Sequence, residues 1–121
     1  MLLEARRQAP SATLVEGDAL ALPFDDAAFE RVFTGHFYGH LREPERERFL
    51  HEARRVAHEL VVVDSSRESS EQDEAHQERV LNDGSRWQVY KRWFTPEALA
   101  GELGDGETLF AGRWFVAVRA A

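Results

Sequence analysis

The sequence predicts a mixed α/β fold built on one largely parallel sheet, and three patterns indicate it. A continuous run rich in β-branched residues at positions 60–63 follows an amphipathic segment, the order expected of a helix that leads into a buried parallel strand. A second β-rich segment at residues 31–33 precedes this helix, and the chain ends in a pattern typical of a β-hairpin. We therefore expect a mostly parallel sheet that finishes in an antiparallel hairpin.

The N-terminal third predicts a helix end and two strands. Residues 2–8 are typical of a helix tail, and residues 13–15 indicate a short strand that ends at an acidic turn. A polar loop then leads to the strand at residues 31–33. The chain thus begins with a helix end, a strand, a loop and a second strand.

The central helix is the most strongly patterned element. Pro44 suits its first turn, and Glu and Arg fill one face. The apolar residues recur at helical spacing: Phe49, Leu50, Ala53, Val56 and Ala57. The strand at residues 60–63 comes next and ends in Asp64, so helix and strand form part of one βαβ unit.

Residues 65–79 form the most polar stretch of the chain. Glu and Asp outnumber Arg there, and we expect a mobile connection followed by a helix near residues 75–81.

The C-terminal quarter predicts a short helix and a hairpin. Thr95 and Pro96 form an N-cap and a first turn, and Gly104 suits the left-handed position that ends a helix. Residues 107–110 and 114–119 alternate as two strands joined by a tight turn. We expect the second of them to lie antiparallel beside the β-branched strand.

The composition limits the class of protein. A length of 121 residues suits one domain. The net charge of -7, with basic and acidic residues interspersed, argues against a nucleic-acid partner. The absence of cysteine excludes disulfides and thiolate sites and favours a cytoplasmic protein. No apolar run approaches the roughly 20 residues of a membrane span, and the first residues do not resemble a signal peptide.

Five segments, taken in order, resemble the C-terminal two thirds of a class I S-adenosylmethionine-dependent methyltransferase. Residues 1–7 resemble the second helix of that family, and residues 15–24 (VEGDALALPF) resemble its third strand and adenine loop. Residues 29–41 resemble strand four and the segment under the methionine part of the cofactor. Residues 50–56 and 60–64 resemble the next helix and strand five. The resemblance implies a Rossmann-like sheet and S-adenosylmethionine as cofactor.

The glycine-rich part of the family pattern has no counterpart in this sequence. In the family, strand one carries a Gly-x-Gly loop, and strand two ends in an acid that binds the ribose. The one Gly-x-Gly here, at residues 104–106, follows a helix and indicates a turn. The family strand order is 3-2-1-4-5-7-6, so a chain without strands one and two would expose the edges of strands three and four. A homodimer through these edges is one expectation.

The resemblance implies an adenine site in the loop after the third strand. Asp18 would accept the exocyclic amine of adenine, the backbone N–H of Ala19 would face a ring nitrogen, and Leu20 would flank the ring. The alternative is that Gly17 and Asp18 only form a turn, as these residue types often do.

The end of strand four would hold the rest of the cofactor and the reacting groups. Thr34 and Gly35 would contact the cofactor through their backbone, since open α/β sheets bind ligands at the carboxyl ends of their strands. His36 and Tyr38 are the candidate catalytic residues, with His36 suited to accept a proton near neutral pH. In the alternative, they are loop residues that pack against Pro23 and Phe24, since aromatic residues most often serve the core. His36 and His40 have metal-ligand spacing but too few partners, so we expect no metal.

A basic and aromatic stretch supplies candidate substrate residues. Arg86, Lys91 and Arg92 lie within residues 86–94 and could bind a carboxylate or phosphate group. Alternatively, they pair with the acidic surface while the neighbouring aromatic residues enter the core.

Three functions remain open at this point. The first is O-methylation of a small acidic substrate by a class I methyltransferase. The second is a truncated, non-catalytic domain that binds a partner or dimerises. The third is the back half of another doubly wound enzyme, such as a dehydrogenase.

Overall fold

A computed structural model describes residues 2–121, without the Leu2 side chain. Met1, the first residue of the opening segment, lies outside the described residues. The helices and strands in chain order are α1 (Leu2–Gln8), β1 (Phe29–Gly35), α2 (Glu43–Val56), β2 (Ala57–Ser65), β3 (Glu74–Val80), β4 (Arg86–Arg92), α3 (Pro96–Glu102), β5 (Glu107–Ala111) and β6 (Phe115–Ala120). Two short 3-10 turns, Tyr38–His40 and Arg67–Ser69, follow β1 and β2.

The main sheet has four strands in the order β1-β2-β6-β5. β1 and β2 are parallel, whereas β6 is antiparallel to both β2 and β5. This arrangement confirms the α/β fold class and the antiparallel strand expected beside residues 60–63. It also matches the expected order of family strands 4-5-7-6. One of the three strand pairings in this sheet, that of β1 with β2, is parallel. The additional parallel strand expected at residues 13–15 does not join the sheet.

The core lies between one face of this sheet and the helices. Phe49 and Ala53 of α2 and Leu99 of α3 are at most 4% exposed, and they belong to one cluster with buried residues of β2 and β6. Burying a phenylalanine or leucine side chain stabilises the fold by about 1.5–3 kcal/mol. The apolar face of α2 predicted from the sequence is thus the face that packs on the sheet.

The opposite face of the sheet is much more exposed. Residues alternate between the two faces of a strand, so Phe29, Arg31 and Phe33 of β1 point away from the core cluster. Phe33 is 66% exposed and Phe115 of β6 is 39% exposed. Parallel strands are usually covered on both faces, so this exposed aromatic face is unusual for the fold.

Both ends of α3 agree with the sequence prediction. The Thr95 hydroxyl accepts a hydrogen bond from the Ala98 N–H at 3.1 Å. Pro96 begins the helix, and Gly104 adopts a φ of 74° after its end. The terminal hairpin of β5 and β6 also forms as predicted.

Two predicted elements are wrong. Residues 13–17 form no strand, and Val15 is 53% exposed, because no neighbouring described strand offers a ladder of hydrogen bonds. The helix predicted near residues 75–81 is the strand β3, which pairs antiparallel with β4. Cross-strand pairs between Glu78 and Arg86 and between Glu74 and Tyr90 override the helix-favouring composition of this segment.

Candidate functional site

The carboxyl ends of β1 and β2 form one edge of the sheet, where the sequence places several candidate residues. Thr34 is half-buried and Gly35 is exposed at the last positions of β1. His36 has a φ of 54°, and its N–H donates to the Val63 carbonyl at 2.9 Å. The backbone therefore turns sharply after Gly35 and leaves the His36 side chain exposed beside the strand ends.

Asp64, at the end of β2, holds the turn that follows. Its Oδ2 accepts the Gly39 N–H at 2.7 Å, and its Oδ1 accepts the Ser65 N–H at 2.8 Å. A Cβ atom on Gly39 would lie 2.7 Å from both the Arg92 carbonyl oxygen and the Asp64 Oδ1. This close approach requires glycine, and it fixes the Tyr38–His40 turn against β2 and β4.

The loop after residue 17 forms a compact turn around Asp18. The Asp18 Oδ1 accepts the Leu20 N–H at 2.8 Å, and the Asp18 carbonyl accepts the Ala21 N–H at 3.0 Å. The turn expected as the alternative is therefore present. It leaves Asp18 exposed, with Ala19 and Leu20 half-buried beside it.

An apolar cleft of about 420 Å³ lies between this loop and β1. Ala19 of the loop and Val32 and Thr34 of β1 line the cleft. The remaining lining residues are mostly aromatic or aliphatic: Leu22, Phe24, Phe29, Phe33, Phe37, Phe49 and Val56, together with Arg31. The structure therefore brings Ala19 and Thr34 to one cleft, while Gly35 and His36 lie beyond its lining at the strand end.

Tyr38 lies in the core. Its ring is fully buried, with its centroid 5.7 Å from that of Phe94, and its hydroxyl donates to the Glu102 Oε1 at 2.7 Å. The same oxygen accepts the Arg46 Nε–H at 3.0 Å. Burial and the hydrogen bond to the Glu102 carboxylate raise the pKa of Tyr38 above its usual value. At neutral pH this hydroxyl therefore remains protonated and acts as a donor.

The two histidines do not share a helical face. β1 ends before His36, and His40 belongs to the 3-10 turn, where its Nδ1 lies 2.9 Å from the Tyr90 carbonyl oxygen. Within residues 2–121, no group of three or more His, Asp or Glu side chains is arranged to hold a metal ion.

The three basic substrate candidates do not converge on one point. Arg86 and Arg92 are six residues apart on β4, roughly 20 Å along a strand. Arg86 pairs with Glu78 at 2.6 Å on the exposed surface. Lys91 projects from the opposite face of the hairpin, with its Nζ 5.2 Å from the Trp93 ring centroid. Desolvation and the charge of Arg79 lower the pKa of Lys91.

Arg92 borders two adjoining polar cavities of about 300 and 490 Å³. Both cavities are also lined by Glu43 and Arg46, and Arg42 lines the larger one. The Arg92 Nε is buried without a hydrogen-bond partner among the described residues and lies 3.7 Å from the Glu102 Oε2. Of the three predicted residues, Arg92 is therefore the one that lines a polar cavity.

The side chains that hold the loop around Asp18 were not among the site residues predicted from the sequence. Arg48, Glu52 and Arg55 project from α2 at spacing i, i+4 and i+7, and all three bond to the backbone of residues 20–24. This spacing was visible in the sequence as one charged helix face. It did not predict the contact, because a charged face is usually solvated.

Comparison with protein families matches the N-terminal half of the chain. A model of the methyltransferase domain family matches residues 1–60 of the chain. These residues contain α1, the loop around Asp18, β1, the Tyr38–His40 turn and α2. The matched region therefore contains the candidate cofactor residues, whereas Arg86, Lys91 and Arg92 lie outside it. A search of curated proteins gives no match.

Solved methyltransferase structures share the fold at low sequence identity. The complex of DhpI with SAM and HEP is 19% identical in sequence and has a TM-score of 0.77. The match covers 98% of this chain and 62% of the DhpI chain. A SAM-dependent methyltransferase from Aquifex aeolicus is 17% identical, with a TM-score of 0.64 and coverages of 98% and 60%. The glycopeptide N-methyltransferase MtfA is 17% identical, with a TM-score of 0.64 and coverages of 99% and 68%.

The chain spans about three fifths of the length of the first two of these proteins. The solved structures support the fold, and the family model supports the assignment of the N-terminal half. Together with the strand order, these findings show that the chain belongs to the class I S-adenosylmethionine-dependent methyltransferase family.

Proposed function

We propose that this chain forms the adenine side of an S-adenosylmethionine site in a methyltransferase. The observation that carries the proposal is the apolar cleft between the loop around Asp18 and β1. Ala19 and Thr34 both line that cleft, and most of its other lining residues are apolar, which suits a planar aromatic base. The family resemblance assigns the adenine contacts to residues 15–24, and three of those residues, Ala19, Leu22 and Phe24, line the cleft.

The polar groups of the loop beside this cleft suit an adenine ring. The Asp18 Oδ1 is used by the Leu20 N–H, whereas its Oδ2 accepts no hydrogen bond from a described residue and is free to accept the exocyclic amine. The Ala19 N–H donates to no acceptor among residues 2–121. An unpaired donor beside an apolar cleft is costly unless a ligand uses it, and a ring nitrogen of adenine would accept it. In this proposal Leu20 flanks the adenine ring.

The strand end beyond the cleft supplies the reacting groups in this proposal. When bound, S-adenosylmethionine supplies a sulfonium methyl group that an oxygen nucleophile can take up. Thr34 and Gly35 contact the ligand through their backbone, and His36 accepts the proton of the attacking hydroxyl. Tyr38 acts from the core by holding the turn in place, since its own proton is engaged by Glu102.

The proposed substrate is a small molecule that carries an acidic group and a nucleophilic oxygen. Arg92 offers the unpaired Nε–H at the polar cavities, and Arg42 and Arg46 add positive charge there. The same cavities are lined by Glu43, Glu47, Glu74 and Glu102, so an anion must displace existing contacts between these carboxylates and the arginines. Lys91 and Arg86, the other two residues predicted from the sequence, do not line these cavities, so the proposal rests on Arg92. Arg92→Ala should weaken binding of such an anion and leave adenosine binding unchanged.

Saturation-transfer NMR of the chain with S-adenosylmethionine tests the proposal. The adenine protons should receive the strongest transfer, and the methionine methylene protons much less, because the chain supplies the adenine side of the site. Binding should be weak, in the millimolar range, since the sequence contains no glycine-rich loop after a strand. Transfer confined to the methionine part, or no transfer at all with a folded protein, would contradict the proposal.

A second candidate function is a non-catalytic binding or dimerisation module. It is favoured by the unpaired outer edge of β1 and by the exposed aromatic face that includes Phe33. Light scattering tests it: a concentration-dependent dimer that dissociates in a Phe33→Lys variant would support this function. A monomer at all concentrations would exclude dimerisation.

We also propose a cytoplasmic location, in keeping with a sequence that contains no cysteine. Within residues 2–121, no helix combines the length and the apolar character needed to cross a bilayer.

A further inference from the structure

Three polar side chains of α2 hold the loop that carries the proposed adenine contacts. The Arg48 Nε–H donates to the Leu20 carbonyl at 2.9 Å. The Glu52 Oε1 accepts the Leu22 N–H at 2.8 Å. The Arg55 guanidinium donates to the Leu22 carbonyl at 2.9 Å and to the Phe24 carbonyl at 2.8 Å. We call Arg48, Glu52 and Arg55 the loop clamp.

The loop clamp satisfies the loop backbone on the side of the helix. At Leu22 both the N–H and the carbonyl are bonded to clamp residues, and at Leu20 the carbonyl is bonded to Arg48 while the N–H is bonded to Asp18. The Ala19 N–H, like those of Asp18 and Phe24, has no acceptor among the described residues. The clamp therefore fixes the backbone that follows the Ala19 N–H, and the hydrogen bond between the Asp18 Oδ1 and the Leu20 N–H closes the turn around it.

The clamp is itself held together by charge. The Arg55 Nε–H donates to the Glu52 Oε2 at 2.8 Å, and Glu52 is 7% exposed. Arg55 also reaches the Asp26 Oδ1 at 3.0 Å. A planar guanidinium that bonds a carboxylate and two carbonyls at once has little freedom to rotate. The loop is thus attached to a rigid helix through a side chain that is itself immobilised.

We propose that Arg48, Glu52 and Arg55 are positioning residues that preorganise residues 18–24 for adenine. This inference rests on the proposed function. None of the three side chains needs to touch the ligand: they hold Asp18 and the Ala19 N–H in the geometry that adenine would use. Without the clamp, part of the binding free energy would be spent on ordering the loop, and the affinity for adenine would fall.

Titration of the isotopically labelled 121-residue chain with adenosine tests the inference. Adenosine should shift the amide resonances of Asp18, Ala19 and Leu22 in a saturable way. Arg55→Ala should weaken adenosine binding by about tenfold or more, because the loop then samples many conformations. Arg48→Ala, which removes one exposed contact, should weaken binding to a smaller extent while the protein stays folded.

Arg54→Ala is the matched control. Arg54 is the adjacent arginine of the same helix, and its guanidinium bonds the Leu103 carbonyl at 2.9 Å, away from the loop. It should leave adenosine affinity unchanged. The amide of Leu22 provides a second readout, since Glu52→Gln should speed its hydrogen exchange without changing that of β2.

The outcomes separate the two proposals. If adenosine shifts none of the loop amides in the wild-type chain, the adenine site itself fails and the inference fails with it. If wild-type, Arg48→Ala and folded Arg55→Ala chains bind adenosine with equal affinity, the loop clamp does not position the site, and the proposed function stands without it. A graded loss in Arg48→Ala and Arg55→Ala, but not in Arg54→Ala, supports the inference.

Discussion

Asp18 combines two tasks in one side chain. Its Oδ1 closes the turn on the Leu20 N–H, and its Oδ2 is left for a ligand amine in the proposed site. A carboxylate can do both because each of its oxygens accepts hydrogen bonds independently. The turn and the binding role, which were alternatives in the sequence, are therefore compatible.

Replacing Asp18 tests both tasks. In a form of the protein with the complete cofactor cradle, Asp18→Ala should weaken cofactor binding by about 1–3 kcal/mol, the cost of losing a buried hydrogen-bond partner. Asp18→Asn keeps an oxygen for Leu20 but gives up the second acceptor, so it should weaken binding to a similar extent. Titration calorimetry measures both. Unchanged affinity in both variants would remove Asp18 from the site.

Glu52 should make the stability of the chain depend on acid pH. Its hydrogen bond with Arg55 and the Leu22 N–H lower the pKa of Glu52 from 4.5 to about 2. A carboxyl group whose pKa is lower in the folded state than in the unfolded state stabilises the fold at pH values above its unfolded-state pKa. This stabilisation is lost as the pH falls through its folded-state pKa.

Urea denaturation of Glu52→Gln at several pH values measures this effect. At pH 7 the variant should unfold at lower urea than the wild type, and the difference should shrink as pH falls from 4.5 toward 2. Glu47→Gln, which changes an exposed glutamate of the same helix, should show little difference at any pH. A pH-independent difference for Glu52→Gln would indicate that packing, not charge, accounts for the loss.

At the residue scale, the sequence was sufficient to predict the turn at Asp18 but not the helix side chains that hold the loop. The pattern around Gly17 and Asp18 was enough to predict a turn, because turn formation is local. The contacts of Glu52 and Arg55 with the loop join residues about 30 positions apart. Only the packing of α2 against the loop brings them together, and no local pattern contains that information.

At the scale of elements, the Tyr38–His40 turn depends on one glycine. Gly39→Ala should destabilise the protein by about 1–3 kcal/mol, because the added Cβ would overlap the Arg92 carbonyl and the Asp64 carboxylate. Gly101→Ala in α3 is a matched control with no atom within 4 Å of the new Cβ, and it should be neutral or stabilising. Urea denaturation measures both. Equal stability of Gly39→Ala and the wild type would mean that the turn yields easily.

The β3–β4 hairpin shows why one element was mispredicted. Residues 74–80 contain Glu, Ala, Gln and Arg, which favour a helix when judged alone. The pairing with β4 decides the outcome, since strand propensity depends on cross-strand neighbours. In contrast, α2, β2 and the terminal hairpin were predictable, because their hydrophobic periodicity matches the face that each of them buries.

Hydrogen exchange tests the mobility predicted for residues 65–79. The β3–β4 hairpin forms a separate two-stranded sheet, and most residues of β3 are exposed. A two-stranded sheet is marginally stable by itself, so its amides should exchange much faster than those of β2 and β6. Exchange as slow as that of β2 would show that the hairpin unfolds only together with the main sheet.

At the scale of the whole molecule, the main sheet is covered by helices on one of its two faces. α2 and α3 cover one face, whereas Phe33 and Phe115 remain exposed on the other. The outer edge of β1 has no strand partner among the described residues. The sequence predicted this open edge from the missing family strands. It could not predict the exposed face, because the residues that face outward on β1 are as apolar as those that face the core.

The central claim is that this family member carries the adenine side of an S-adenosylmethionine site. The most direct measurement is a titration of the labelled chain with S-adenosylmethionine, followed by its amide spectrum. We expect saturable shifts at Asp18, Ala19 and Leu20 and at Thr34 and Gly35, with a dissociation constant in the millimolar range. Shifts confined to other surfaces, or micromolar binding by a stable monomer, would contradict it.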